Sequence, residues 1–118
     1  MKISLPFPPA DLNPNQARRL HWAKQRKCAR EYRRQCWALA RAKVGASPSF
    51  DERPLPVRIV FHPPDRRARD RDNMIAAFKA GADGVADAFK VDDACWEPSY
   101  AMGEPVKGGQ VVVEVGRD

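Results

Sequence analysis

Leu55-Pro56-Val57-Arg58-Ile59-Val60-Phe61, halted by His62-Pro63-Pro64, is the stretch on which the fold turns. Val57, Ile59 and Phe61 alternate with Arg58 and Val60, the period-two pattern of a half-buried strand. The prolines remove backbone donors and restrict the residues before them, so the strand stops there. Downstream the period changes. Ile75, Phe78, Ala82, Val85 and Phe89 recur at three- and four-residue steps, predicting a helix from about Asp72 to Ala88. Asp72 or Asn73 can cap its first turn. Gly81 and Gly84 weaken its middle, since glycine costs a helix about 1 kcal/mol relative to alanine.

Upstream, Lys2-Ile3-Ser4-Leu5-Pro6-Phe7 alternates as a strand that Pro6 begins to end. Pro8-Pro9 and Asn13-Pro14-Asn15 make an extended loop. A first helix is expected from about Gln16 to Lys43, burying a stripe of Ala29, Tyr32, Cys36 and Leu39. Residues 45–54, with Gly, Ser and two prolines, link elements and not domains. Two closing strands, near Trp96–Met102 and Gln110–Val115, are joined by a Lys107-Gly108-Gly109 turn. The order β-α-β-α-β-β indicates an α+β (α/β) fold, a small mixed sheet with two packed helices, as one domain over residues 1–118.

Composition narrows the function classes. No apolar run approaches the roughly 20 residues of a membrane span. Met1 is followed by the strand-like Lys2-Ile3-Ser4-Leu5 with no apolar signal region, so a cytoplasmic location is expected. Three cysteines, Cys28, Cys36 and Cys95, and two histidines, His21 and His62, lack metal-ligand spacing. The cysteines read as free thiols in a reducing compartment. Net charge is +6, which attracts polyanions. The first predicted helix carries Arg18, Arg19, Lys24, Arg26, Lys27, Arg30, Arg33, Arg34, Arg41 and Lys43 against one acid, Glu31. A solvated mixed-charge face would hold more Glu, so this surface is a candidate for phosphate contact.

Pro64-Asp65-Arg66-Arg67-Ala68-Arg69-Asp70-Arg71-Asp72-Asn73 is the most informative segment for chemistry. In an extended backbone Asp70 and Asp72 point the same way, so their carboxylates can converge on one hard cation. Arg66, Arg67, Arg69 and Arg71 surround them. Acids that hold a metal, ringed by arginines that hold phosphates, suit metal-assisted phosphodiester hydrolysis. Asp92-Asp93 offers a further ligand, and neighbours in an extended segment diverge, so one of the two is expected to enter the site. The plain structural alternatives are a helix cap at Asp72, arginine pairing at Asp70, and an exposed turn at Asp92-Asp93.

Pro64-Asp65-Arg66-Arg67, Asp70-x-Asp72-Asn73 and Val91-Asp92-Asp93 together resemble the signature of the RusA family of Holliday-junction resolvases. Leu5-Pro6-Phe7-Pro8-Pro9 with Asn13 and Asn15 resembles that family's opening, and Lys107-Gly108-Gly109 its late turn. The resemblance spans nearly the whole chain. It implies a magnesium-dependent endodeoxyribonuclease, acting as a homodimer on four-way branched DNA in recombination and repair. It implies Asp70, Asp72 and Asp93 as catalytic ligands of Mg²⁺, replaceable by Mn²⁺, with Asp92 facing away. The surroundings of His21-Trp22 and Tyr32-Arg33 resemble phage-encoded members, which suggests a prophage origin. One position departs. The family often has a catalytic lysine four residues after the second aspartate, where this chain has Ala76. Lys79, seven residues after Asp72, shares that helix face and takes the role; a three-residue insertion would also align it, with Asp83 following. Expected strand contacts are Arg66, Arg67 and Arg69, with Asn13, Asn15, Arg19, Lys24 and Lys27. The alternatives are a non-catalytic nucleic-acid-binding protein of the same fold, and a nuclease of broader taste for branched DNA.

Overall fold

Strand Leu55–His62 (β2) lies inside a sheet, flanked on both edges, which is why its buried positions extend beyond simple alternation to Val60. The computed structural model describes residues 1–17 and 21–116. Around β2 the described chain runs β1 (Lys2–Pro6), a 3-10 turn (Ala10–Leu12), α1 (Pro14–Ala17), α2 (Trp22–Val44), then α3 (Arg71–Phe89). A second 3-10 turn (Asp93–Cys95), β3 (Trp96–Met102) and β4 (Gln110–Val115) complete it. The sheet order is β1-β4-β2-β3. β2 and β3 are parallel, as a connection through a helix permits, while β4 is antiparallel to both β1 and β2. This is the mixed α+β arrangement expected from the sequence.

Alternation sorts the sheet into two faces. Ile3 and Ile59 both oppose Val113, and Leu5 and Phe61 both oppose Val111, so one face becomes a continuous buried layer. Phe78 and Phe89 of α3 meet it through Phe61 and Trp96, at ring separations of 5.9 and 6.2 Å. On the opposite face Lys2 and Arg58 reach Glu114 at 3.3 and 3.1 Å. Arg58 first, then Lys2, hold the Glu114 carboxyl below its ordinary range.

The glycines that weakened the second helix on paper are what seat it. A Cβ on Gly84 would collide with the backbone carbonyl of Arg33, and one on Gly81 would lie 2.7 Å from the Tyr32 ring. Any side chain at Gly84 would therefore push α3 off α2. Tyr32 is buried here and donates its hydroxyl to the Pro6 carbonyl at 2.7 Å, tying α2 to the end of β1.

Three expectations need correction. The first long helix begins at Trp22, not Gln16, because His21 is extended (φ −61°, ψ 136°) and its ring accepts the Ala23 N–H. Its buried stripe is Tyr32, Cys36 and Ala40, while Leu39 is 41% exposed. Packing along an every-fourth-residue ridge selects Ala40 and turns Leu39 outward. The cap of α3 is Asp70, not Asp72 or Asn73. The expected Lys107-Gly108-Gly109 turn is present: Gly109 donates to Val106 at 2.7 Å, and Gly108 at φ +80° supplies the conformation that a type II turn reserves for glycine. No helix among the described residues is long and apolar enough to cross a membrane. Cys28, Cys36 and Cys95 are unpaired, with Cys36 buried.

Candidate functional site

The acids singled out in the sequence fall into two groups along α3. At its start Asp70 is extended (φ −79°, ψ 124°), and its Oδ1 accepts the Asp72 N–H at 2.8 Å. Asp72 already lies in the first helical turn, so the two-residue alternation of a strand does not relate these side chains. Both sit at the positive end of the helix dipole, Asp70 as the cap and Asp72 in the first turn. Asp70 keeps one oxygen outside the cap. Both residues are exposed, and neither forms an ion pair with any described residue.

The second group forms about two turns further on. Lys79 donates to Asp93 at 2.6 Å and to Asp83 at 2.9 Å. Asp72, Lys79 and Asp83 share one side of α3, since steps of seven and four residues return to nearly the same angle. Asp93 arrives because α3 ends at Lys90 in the left-handed region (φ 57°) and the chain turns through a 3-10 helix. Asp92 caps that turn, accepting the Ala94 N–H at 2.9 Å. Of the adjacent pair, Asp93 is the one bonded to Lys79, while Asp92 caps the turn; both line one cleft with Asp83 and Asp87 of α3. The Lys79 hydrogen bond holds the Asp93 carboxyl below its ordinary range, burial opposing it in part. Its bonds to Asp93, then Asp83, push Lys79 up to about 12. An ammonium so held offers charge and hydrogen bonds; it does not accept a proton at neutral pH.

The arginines also divide. Arg69 donates to the Asp65 carboxylate at 2.8 Å and to the Asp65 and Arg67 carbonyls, and its side chain is only 10% exposed. Its guanidinium carbon lies 6.0 Å from the Phe7 ring centre. Arg69 is thus a brace for its own loop, and through its bond Asp65 is held below the ordinary carboxylate range. Arg66 approaches Glu104 only at 3.9 Å with both side chains largely exposed, a contact of little energetic weight. Arg67 is exposed on the same loop. Asn13 closes a local turn by accepting the Asn15 N–H at 3.0 Å. Lys24 and Lys27 project from α2 into solvent, near Trp22, which is 63% exposed beneath Arg26. Arg19 lies outside the described residues.

Among the described residues no three His, Cys, Asp or Glu side chains are grouped to hold a metal ion. Asp70, Asp72 and Asp93 are therefore not assembled as a set of three. Asp93 is bonded to Lys79, which lies seven residues from Asp72, about 10 Å along the helix. What the start of α3 does provide is two hard carboxylates. Magnesium suits such a place, because it keeps several waters and is commonly held by one or two carboxylates plus substrate phosphate.

The Lys79–Asp83 pair at four-residue spacing was available to sequence reasoning as a helix ion pair. Arg33 with Asp87, joined at 2.7 Å between α2 and α3, was not, since nothing local connects them.

No family model matches the chain. A protein of Xylella fastidiosa (strain Temecula1), described as an uncharacterized protein, is 36% identical to it over 115 residues. That alignment covers 96% of this chain and 74% of the Xylella protein.

Proposed function

The chain belongs to one family with the Xylella fastidiosa protein, and we propose that it is a magnesium-dependent endodeoxyribonuclease of the RusA kind, nicking four-way branched DNA. The observation that carries the proposal is the pair Asp70 and Asp72 at the start of α3, exposed, without an ion pair to any described residue, beside an arginine-rich loop. Two bare carboxylates at a surface of net charge +6 make sense where a metal ion arrives with a phosphate.

In this reading Asp70 and Asp72 would hold Mg²⁺ or Mn²⁺, which supplies a polarised phosphate and a more acidic water. The cap bond from the Asp72 N–H fixes the Asp70 carboxylate, so that oxygen need not be ordered when DNA binds. Lys79, charged and aimed by two carboxylates, offsets negative charge developing on the phosphate. Asp93 positions Lys79, and is the third carboxylate that the resemblance to RusA enzymes offers the ion. Arg66 and Arg67, with Lys24, Lys27 and Arg19, would bind the entering strands, and Asn13 and Asn15 lie on the neighbouring loop. A homodimer would present two such sites to two related strands. A cytoplasmic setting, phage or host, accords with three unpaired thiols.

One observation favours a second reading, a branched-DNA-binding protein without chemistry: Asp93 is neutralised by Lys79 and the three acids do not stand together. Purified protein incubated with a synthetic mobile junction, beside linear duplex of equal length, separates the two. Nicks in the junction that appear with Mg²⁺ and vanish with excess chelator are expected. Junction binding without nicks at any Mg²⁺ or Mn²⁺ concentration selects the second reading.

A further inference from the structure

A pocket of about 420 Å³ opens beside the start of α3, on the side away from Lys79, within the size range of small-ligand sites. Its apolar surface comes from Phe7, Pro64, Met74 and Ala77, and Met74 lies one helical turn below Asp70. Its polar groups are mostly neutral amides, from Asn13, Asn15 and Gln16, with the Arg67 guanidinium alongside. Arg69 also lines it, its guanidinium near the Phe7 ring and already bonded to Asp65 and the loop carbonyls. Gly109 keeps the Phe7 side open for this arrangement: a Cβ there would lie 2.8 Å from the Phe7 Cβ.

We infer that this pocket receives one unstacked nucleobase of the bound DNA, beside the phosphate held at Asp70; the inference rests on the branched-DNA reading. The chemistry of the lining selects a base over other occupants. A phosphate would want unspent cations, yet the better-buried guanidinium is committed to Asp65. A purely apolar group would leave three amides unused. A base has flat faces, which pack on an aromatic ring or a guanidinium plane, and an edge of donors and acceptors, which amides can match. Unstacking costs least for a base that is already unpaired, and a branch that opens on binding offers such bases. Asn15 and Gln16 are exposed, and neither side chain is hydrogen-bonded to any described residue, so their amides are free for that edge.

The test uses the whole protein in saturating Mg²⁺, titrated with each of the four 2′-deoxynucleoside 5′-monophosphates and with 2-deoxyribose 5-phosphate. Binding is followed by amide NMR shifts. At least one nucleotide should bind about tenfold or more tightly than the sugar phosphate, the size of a good edge-recognition contact. The shifts should centre on Asn13, Asn15 and Ala77. The double variant Asn15→Ala, Gln16→Ala alters two exposed side chains, and should reduce that ratio while leaving sugar-phosphate binding in place. Equal binding of the sugar phosphate and all four nucleotides, no binding at all, or shifts centred on α2, would each overturn the inference. Metal-dependent nicking measured on the same preparation keeps the two proposals apart. Nicking without base discrimination sinks the pocket alone, and base discrimination without nicking sinks the nuclease reading alone.

Discussion

The two acidic groups beside α3 are built from the same residue type, yet they are in opposite conditions. At the start, Asp70 and Asp72 are exposed and without a described cation. Two turns on, Asp83 and Asp93 share one ammonium, at 2.9 and 2.6 Å. The first group can gain a cation from outside. The second has one already, so its use lies in the lysine it aims. Local charge compensation, more than the count of carboxylates, decides which acids can recruit a metal.

The sharpest way to break this contrast is to neutralise Asp93 and its neighbour separately. Asp93→Asn weakens the grip on Lys79, and should lower the junction nicking rate by about 100-fold, the scale for a preorganised electrostatic group. Asp92→Asn alters the cap of a short turn and leaves the bond between Asp93 and Lys79 in place, so it should cost less than about tenfold on the same scale. Single-turnover rates of both variants decide it; the reverse order would show that Asp92 is the working member.

Asp72, Lys79 and Asp83 ride on α3, with Asp70 as its cap, and the seat of that helix is set where Gly84 meets the Arg33 backbone. Gly84→Ala should therefore destabilise the protein by about 1–3 kcal/mol as an overpacking change, despite alanine's better helix propensity. Urea unfolding checks this. An unchanged or raised midpoint would mean that the helices separate freely there.

The smallest expected effect is electrostatic. Asp93 titrates below its ordinary value because of Lys79, so its contribution to stability exists above the unfolded carboxylate pKa and is lost as pH falls through the folded one. Lys79 is raised to about 12, so its contribution is present below the unfolded lysine pKa and disappears as pH rises through that folded value. The pair is intact between those limits. Lys79 is 64% exposed, so solvent screening keeps its contribution to stability small. In Lys79→Met the Asp93 carboxyl should return toward the usual range, read by carboxyl NMR titration. No movement would detach Asp93 from Lys79.

The sequence carried the sheet well, because alternation in residues 55–61 and 110–115 is a local signal that tertiary contacts reinforce. The fourth strand matched its expected bounds for that reason, and the third matched them too although its burial does not alternate. Helix detail was less legible. Leu39 looked like core by spacing, but the choice between Leu39 and Ala40 belongs to the partner helix. Gly84 looked like a weakness because its reason, the Arg33 carbonyl, lies 51 residues away in the chain. At the site, Asp93 is bonded to Lys79 and Asp92 caps a 3-10 turn, so the extended alternation used to separate the two in the sequence does not relate them. The four arginines of residues 66–71 are indistinguishable as letters; only folding shows that Arg69 braces the loop while Arg66 and Arg67 remain at the surface.

The most direct measurement pairs binding with cutting in Asp70→Asn, on one synthetic junction at one salt concentration. Asparagine retains a side-chain oxygen for the Asp72 N–H, so α3 keeps its cap while the site loses a negative charge. Without Mg²⁺, gel-shift affinity should hold or tighten, since a carboxylate that repels phosphate is gone. With Mg²⁺, nicking should collapse. A variant that cuts as fast as the wild-type protein, or that loses binding and cutting together while still folded, would contradict the assignment of the start of α3 as the metal-holding site.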